Sequence, residues 1–205
     1  INGVGINLEG EANDYVGKSM HGGKINIYPD REANFSSEGN SIIGNTVLYG
    51  ATAGSLFAAG LAGERFCVRN SGALAVIEGV GDHACEYMTG GEVYIFGPVG
   101  KNLGAGMSGG IAYILNENEN IDDQVNKDMV SVEALSSKDL VKIKEVLTRH
   151  VEATNSRRGL ILLRTFDEIK DRFIKIVPKE ISRILESKGI NIDDFDFINP
   201  NLGEV

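Results

Sequence analysis

Asp82, His83, Cys85 and Glu86 stand together in the run GDHACEYMTGG (81–91), the first place to look for chemistry. A cysteine two residues from a histidine suggests a thiolate nucleophile, which needs a base within hydrogen-bond reach and a third group to orient that base. Residues two apart in an extended strand share a face, so His83 and Cys85 can meet if this run is a strand. A β-rich turn wants polar residues outward and small ones inward, and these residues meet both needs without any reaction. The structural reading is preferred, and no catalytic residue is assigned. Zinc needs more ligands than one histidine and one cysteine supply, so no metal site is expected.

Two glycine runs, GVG (79–81) and GAGMSGG (104–110), have the composition of phosphate cradles. Phosphate loops draw their strength from a helix N-terminus whose amides aim at the anion. Here each run leads into a β pattern with no Lys-Ser/Thr pair behind it. Tight corners are expected, and no cofactor-binding residue is assigned. His21 and His150 stand alone and are expected at the surface or in caps. Arg65 and Arg69 alternate around Phe66 and Val68, which predicts an outward ladder pairing with acids such as Glu64 or Glu86. Cys67 and Cys85 are too few for a disulfide framework and are read as reduced thiols of a cytoplasmic protein.

The elements that must hold these residues show themselves as repeats. Gly22-Gly23 precedes KINIY, Gly90-Gly91 precedes EVYIF, and Gly109-Gly110 precedes IAYIL. Looser copies are Gly44 before NTVLY, Gly63 before ERFCV and Gly72 before ALAVI. From the last glycine of one copy to the next, the steps are 21, 19, 9, 19 and 19 residues. A fixed period of this size marks a solenoid. Because each unit ends in a β-rich run, the solenoid is predicted to be a β-helix, with the step of 9 marking a second strand per coil. Glycine at each corner is expected to turn the chain with φ > 0. At about 3.3 Å per residue a 19-residue coil has a perimeter of roughly 60 Å, and four to five coils stack into a column roughly 20–25 Å tall. Parallel crossovers are overwhelmingly right-handed. The expected fold is mainly β: a right-handed single-stranded β-helix with a C-terminal helical extension.

Composition divides the chain near residue 116. Of 26 glycines, 23 lie in residues 1–115, which hold 11 acidic and 6 basic side chains against 18 and 14 in residues 116–205. The net charge of −9 leaves neither half basic, so nucleic acid is not an expected partner. No apolar run approaches the roughly 18 residues of a membrane span, and no membrane partner is expected. The chain opens on Ile1, already in a strand-like stretch, and is read as a fragment or as the ordered part of something longer.

Residues 1–115 are assigned to the β-helix and 116–135 to a linker or loose surface strand. Residues 136–189 are assigned to the helical extension, and 190–205 to a flexible tail or partner-binding extension. Ser136 and Asp139 approximate a capping box ahead of Leu140, Ile143, Val146, Leu147 and Val151, predicting a helix over 137–152. Asn155 or Ser156 caps a second helix with Leu160, Leu163, Phe166 and Ile169 along one face. FIKIV (173–177) alternates like a short extended piece, and Pro178 and Gly189 bracket a third helix.

The stretch GVGDHACEYMTGGEVYIFGPVGKNLGAGMSGGIAYIL (79–115) resembles the C-terminal GXGXG domain of glutamate synthase large subunits, supported by segments 8–25, 42–54 and 63–79. SSKDLVKIKEVLTRHVEATNSRRG is similar to the helical segment that follows the β-helix in that family, so the resemblance covers about residues 5–188. It implies a scaffold packed among a glutaminase part that releases ammonia and an FMN- and iron–sulfur-bearing synthase part that uses the ammonia to convert 2-oxoglutarate to glutamate. The family's catalytic residues lie elsewhere. No N-terminal nucleophilic cysteine, cluster of cysteine ligands or flavin barrel pattern is present in these residues. The resemblance therefore implies a chain that is inactive alone, with FMN and the cluster in partner domains or subunits. A second reading is the GXGXG-type subunit of formylmethanofuran dehydrogenase, or another stand-alone β-helix binding module. A hexapeptide acyltransferase is a third, resting on IIGNTV alone. The helical segment 136–188 favours glutamate synthase.

Overall fold

The alternating apolar residues after each glycine pair become strands of one sheet. The computed structural model describes residues 2–30, 32–33, 37–118 and 121–198. Ile1 and residues 199–205 of the expected tail lie outside them. In chain order the strands of the column are β1 (Gly5–Glu9), β2 (His21–Tyr28), β3 (Ser41–Ile43), β4 (Ala53–Ala58), β5 (Leu61–Ala62), β6 (Ser71–Ile77), β7 (Thr89–Ile95) and β8 (Gly109–Leu115). β1, β2, β4, β6, β7 and β8 pair in parallel, each with the equivalent strand of the next coil. β3 and β5 form a short second ladder. The result is a single-stranded β-solenoid of about six turns, more than the four to five expected.

Both faces of the main sheet are apolar for different reasons. Leu56, Ala58, Ala75, Ile77, Val93, Ile95, Ala112 and Ile114 point into the column and fill it. Phe57, Leu74, Val76, Tyr94, Phe96, Ile111, Tyr113 and Leu115 point outward and are buried beneath the C-terminal helices. A parallel sheet covered on both faces explains why SGALAVI and GGIAYIL are nearly continuous apolar runs.

The glycines expected at corners are required for two separate physical reasons. Gly22, Gly23, Gly91 and Gly110 have φ of +143°, +83°, +89° and +79°, in the region that favours glycine. Gly44, Gly63, Gly72, Gly90 and Gly109 do not have positive φ; there glycine is required by close approach. A Cβ on Gly72, Gly90 or Gly109 would lie 2.2, 2.3 or 2.1 Å from the carbonyl oxygen of Thr52, Ser71 or Thr89 in the coil beneath. The doublets sit inside the strands, where the register shifts between Ser71 and Leu74 and between Thr89 and Glu92. Gly44 and Gly63 precede a segment of turns, whereas Gly72 follows one. The step of 9 from Gly63 to Gly72 therefore measures that segment and is not a second strand.

The second half of the chain is bound to the column more closely than a linker and extension imply. Residues 116–135 contain a 3-10 turn (Ile121–Asp123) and β9 (Val130–Glu133), and Ile121, Val125 and Val130 are buried in the column's own core. After α1 (Ser137–Thr154), α2 (Arg157–Arg164) and the short α3 (Phe166–Ile169) comes β10 (Phe173–Pro178), the FIKIV segment. β10 pairs antiparallel with both β8 and β9, so the sheet runs β1-β2-β4-β6-β7-β8-β10-β9. Antiparallel strands and Ile176 thus close the C-terminal end of the column. α4 (Lys179–Ser187) follows, with Gly189 at φ +67° beyond it.

Helix signals in the sequence hold locally. Ser136 caps α1 in a reciprocal capping box with Asp139, Asn155 closes it in the left-handed conformation, and Ser156 caps α2. The apolar face of α2 differs from expectation. Leu162 is buried and Leu163 is packed against the core, whereas Leu160 is exposed. The expected tail also begins on the fold: Phe197 is buried and its carbonyl accepts a 2.7 Å bond from the Gly91 N–H.

Candidate functional site

Between one coil's short ladder and its main strand the chain runs through tandem turns, and residues 82–87 are one such segment. Every second residue has positive φ: Tyr15, Gly17 and Ser19; Thr46, Leu48 and Gly50; Arg65, Cys67 and Arg69; His83, Cys85 and Tyr87; Asn102, Gly104 and Gly106. The N–H groups of these residues alternate in direction. His83 and Tyr87 donate to Lys101 and Ala105 in the following coil, and Cys85 donates to Phe66 in the preceding one, each at 2.8 Å. Within the segment Met88 N–H closes a turn on the Cys85 carbonyl. The positive φ is that of the third residue of a type II turn, repeated along the chain and locked by neighbouring coils.

This geometry separates the candidate nucleophile from its candidate base. The run is not an extended strand: Cys85 points into the core, fully buried above Cys67, while His83 faces outward near Glu86, Nδ1 to Oε1 3.7 Å. Burial pushes the Cys85 thiol up to about 12. Burial, and then the charge of Cys85, raise Cys67 as well. A thiol held neutral and away from solvent is a packing residue, and both cysteines are free. Arg65 makes the expected outward pair, Nη1 to Glu86 Oε2 at 2.9 Å. A second outward ladder joins coils through side chains: Asp14 accepts from the Asn45 N–H at 2.7 Å, Asn45 from Glu64 at 2.8 Å, and Asp82 from Lys101 at 2.7 Å.

The glycine runs spend their amides between coils. Val80 and Gly81 donate to Pro98 and Gly63, Gly104 donates to Ala84, and Ser108 and Gly109 donate to Met88. These N–H groups do not converge on an anion. Among the described residues, no group of three or more His, Cys, Asp or Glu could hold a metal ion, and no helix is long and apolar enough to cross a membrane.

Two buried polar clusters, unforeseen in the sequence, bind the helices to the column. His150 is not a surface residue. It is fully buried beside Phe57 and Phe96, with Nε2 3.2 Å from Oε1 of Glu78, itself 1% exposed. Glu78 also accepts from the Ser156 hydroxyl and from Ser37 Oγ at 3.1 Å. One carboxylate thus ties the end of β6 to α1, the cap of α2 and the loop before β3. The signal was His150 on the buried face of α1 with Leu147 and Ile143, which periodicity could have shown.

The second cluster lies between β7, β8, β10 and α1. Tyr94 and Tyr113 stack at 4.9 Å; their hydroxyls donate to Glu92 and Asp139, both at 2.8 Å. Lys142 meets Glu92 at 2.9 Å, and Lys175 meets Asp139 and Asp193 at 2.9 and 2.7 Å. Burial alone would raise the Asp139 carboxyl, but bonds from the Ser136 amide, Lys175 and Tyr113 outweigh it and hold it below 3.8. The group is charged in the folded state at lower pH than in the unfolded state, so its stabilisation is present above 3.8 and is lost as pH falls through the depressed value. Asp139→Asn removes one of the two carboxylates on Lys175 and leaves Asp193, so it is expected to cost about 2 kcal/mol near neutrality. In urea melts the gap from wild type should close below about pH 4; a gap constant down to pH 2.5 would remove the charge from the account.

The fold defines a single-stranded β-solenoid with helices laid across one face and two buried polar clusters sealing the joint. The family model described as GXGXG motif matches residues 1–179, and the chain belongs to that family. It is 48% identical over 190 residues to ferredoxin-dependent glutamate synthase 2 of Synechocystis sp., covering 92% of this chain and 12% of that protein. It is 46% identical over 202 residues to the glutamate synthase [NADPH] large chain of Bacillus subtilis, covering 96% of this chain and 13% of that one. Against glutamate synthase [NADH] of Schizosaccharomyces pombe it is 46% identical over 188 residues, 91% of this chain and 9% of the relative. The chain spans about an eighth of the length of the first two relatives.

Proposed function

We propose that this chain is the scaffold of a glutamate synthase. It would hold the glutaminase and the FMN- and iron–sulfur-bearing synthase parts at a fixed separation, so that ammonia made at one reaches the other. The observation that carries this reading is near-half identity to glutamate synthases along almost the whole chain, joined to so small a share of their length. The buried thiols agree with it, since neither can supply a nucleophile or an iron ligand from the core. A stacked column is rigid because each coil is hydrogen-bonded on both sides, and the Glu78 and Asp139 clusters extend that rigidity to the helices.

On this proposal the chain carries no catalytic, metal-binding or cofactor-binding residue. The purified chain should be colourless and should neither hydrolyse glutamine nor form glutamate. Flavin absorbance that survives gel filtration, or glutamine turnover by the chain alone, would overturn the scaffold reading.

A further inference from the structure

We propose that the outward face of α2, formed by Arg157, Leu160, Ile161 and Arg164, docks onto an apolar ridge flanked by carboxylates on the glutaminase–synthase part of the enzyme; this rests on the scaffold reading above. The four residues recur at helical spacing and share one face. Leu160 is 39% and Ile161 46% exposed, and both arginines are exposed. Among the described residues neither Arg157 nor Arg164 meets a carboxylate. The opposite side of α2 is fixed: Gly159 seats against Val151 and His150, and Leu162 is buried. Arg158 donates to the Phe96 carbonyl at 2.5 Å, Glu38 at 3.1 Å and Glu117 at 2.6 Å. The outward stripe is therefore presented on a helix that is already ordered, which lowers the cost of binding.

Charge selects the occupant. The chain carries −9 overall, yet α2 has three arginines and no acid. A symmetric pairing of two copies through α2 would set arginines against arginines, which is costly. An eight-residue helix with two exposed apolar side chains is too short for stable membrane-surface binding. A complementary protein surface, with acids opposite Arg157 and Arg164 and an apolar centre for Leu160 and Ile161, satisfies all four side chains; arginine and buried aliphatic contacts are frequent at the centres of such interfaces.

The test is calorimetric titration of the chain into the polypeptide carrying the glutaminase and synthase parts, at about 0.05 M and about 0.5 M salt. Arg157→Glu/Arg164→Glu and Leu160→Ser/Ile161→Ser should each weaken binding by about tenfold or more. Both should leave the melting temperature unchanged, and the charge-reversal variant should lose the salt dependence. If the wild-type chain binds and both variants bind equally well, the docking face is elsewhere while the scaffold reading stands. If the wild-type chain does not bind at all, both proposals fall. Self-association abolished by these variants, or binding to anionic vesicles abolished by them, would assign the stripe to another occupant and overturn the proposal.

Discussion

Gly109→Val should be severely destabilising to the column. A Cβ at this position falls 2.1 Å from the Thr89 carbonyl oxygen and 2.7 Å from its carbon, both backbone atoms of the adjacent strand. Relief requires β7 and β8 to part where Thr89 and Gly109 pair, because neither backbone has a rotamer to yield. The cost is about 3 kcal/mol or more. For a chain of this size that is a fall of about 10 °C in melting temperature, or no soluble product. Gly50→Ala is the matched control. Gly50 has φ +65° with open space around its Cβ position, so only backbone strain of about 1 kcal/mol is added. Gly109→Ala carries the same clash as valine and serves if the valine variant is insoluble. If Gly109→Ala melts with Gly50→Ala, close approach between coils is not what demands glycine there.

Ending the chain at residue 130 should abolish the soluble monomer. The deletion removes α1, α2 and β10 and so uncovers Phe57, Leu74, Val76, Tyr94, Phe96, Ile111, Tyr113 and Leu115 together on one flat sheet face. Each large side chain returned to water costs about 1.5–3 kcal/mol, and a contiguous apolar sheet invites aggregation. Glu78 and Glu92 would also lose His150, Ser156 and Lys142. The helical half is thus a lid on the sheet. Gel filtration, dye binding to exposed apolar surface and a thermal melt would check it. A monomeric residue 1–130 product with a cooperative melt would show that the column stands without its lid.

The consequence for function lies in stiffness. If the chain spaces two reaction centres, loosening the column in the assembled enzyme should separate glutamine hydrolysis from glutamate formation before either chemistry fails. Each buried cluster also joins elements far apart in sequence, as Glu78 does with Ser156 and Asp139 with Lys175. Disturbance at the lid therefore reaches the sheet directly.

What the residues determined by themselves was the class of fold and its local punctuation. Period-two alternation and glycine pairs are constraints of single strands and of backbone approach, so they can be read from one chain: KINIY, ALAVI, EVYI and IAYIL all lie in equivalent paired strands. The capping box at Ser136 and the cap at Ser156 are equally local and were legible. The left-handed turns were not. Asn102, Gly104 and Gly106 are residue types that adopt positive φ readily, but Leu48, Cys67, Arg65, His83 and Tyr87 do so in the equivalent places. Their conformation is imposed by bonds to the coils above and below, which no local preference encodes. The extended character of FIKIV was legible from its alternation, but its place in the sheet, antiparallel between β8 and β9, was not, because it comes from pairing with distant strands. The same holds for His150 and Cys85: in one dimension a lone histidine reads as a surface or capping residue, and a cysteine beside acids looks reactive. Only stacking decided that one would be sealed against Glu78 and the other turned into the core.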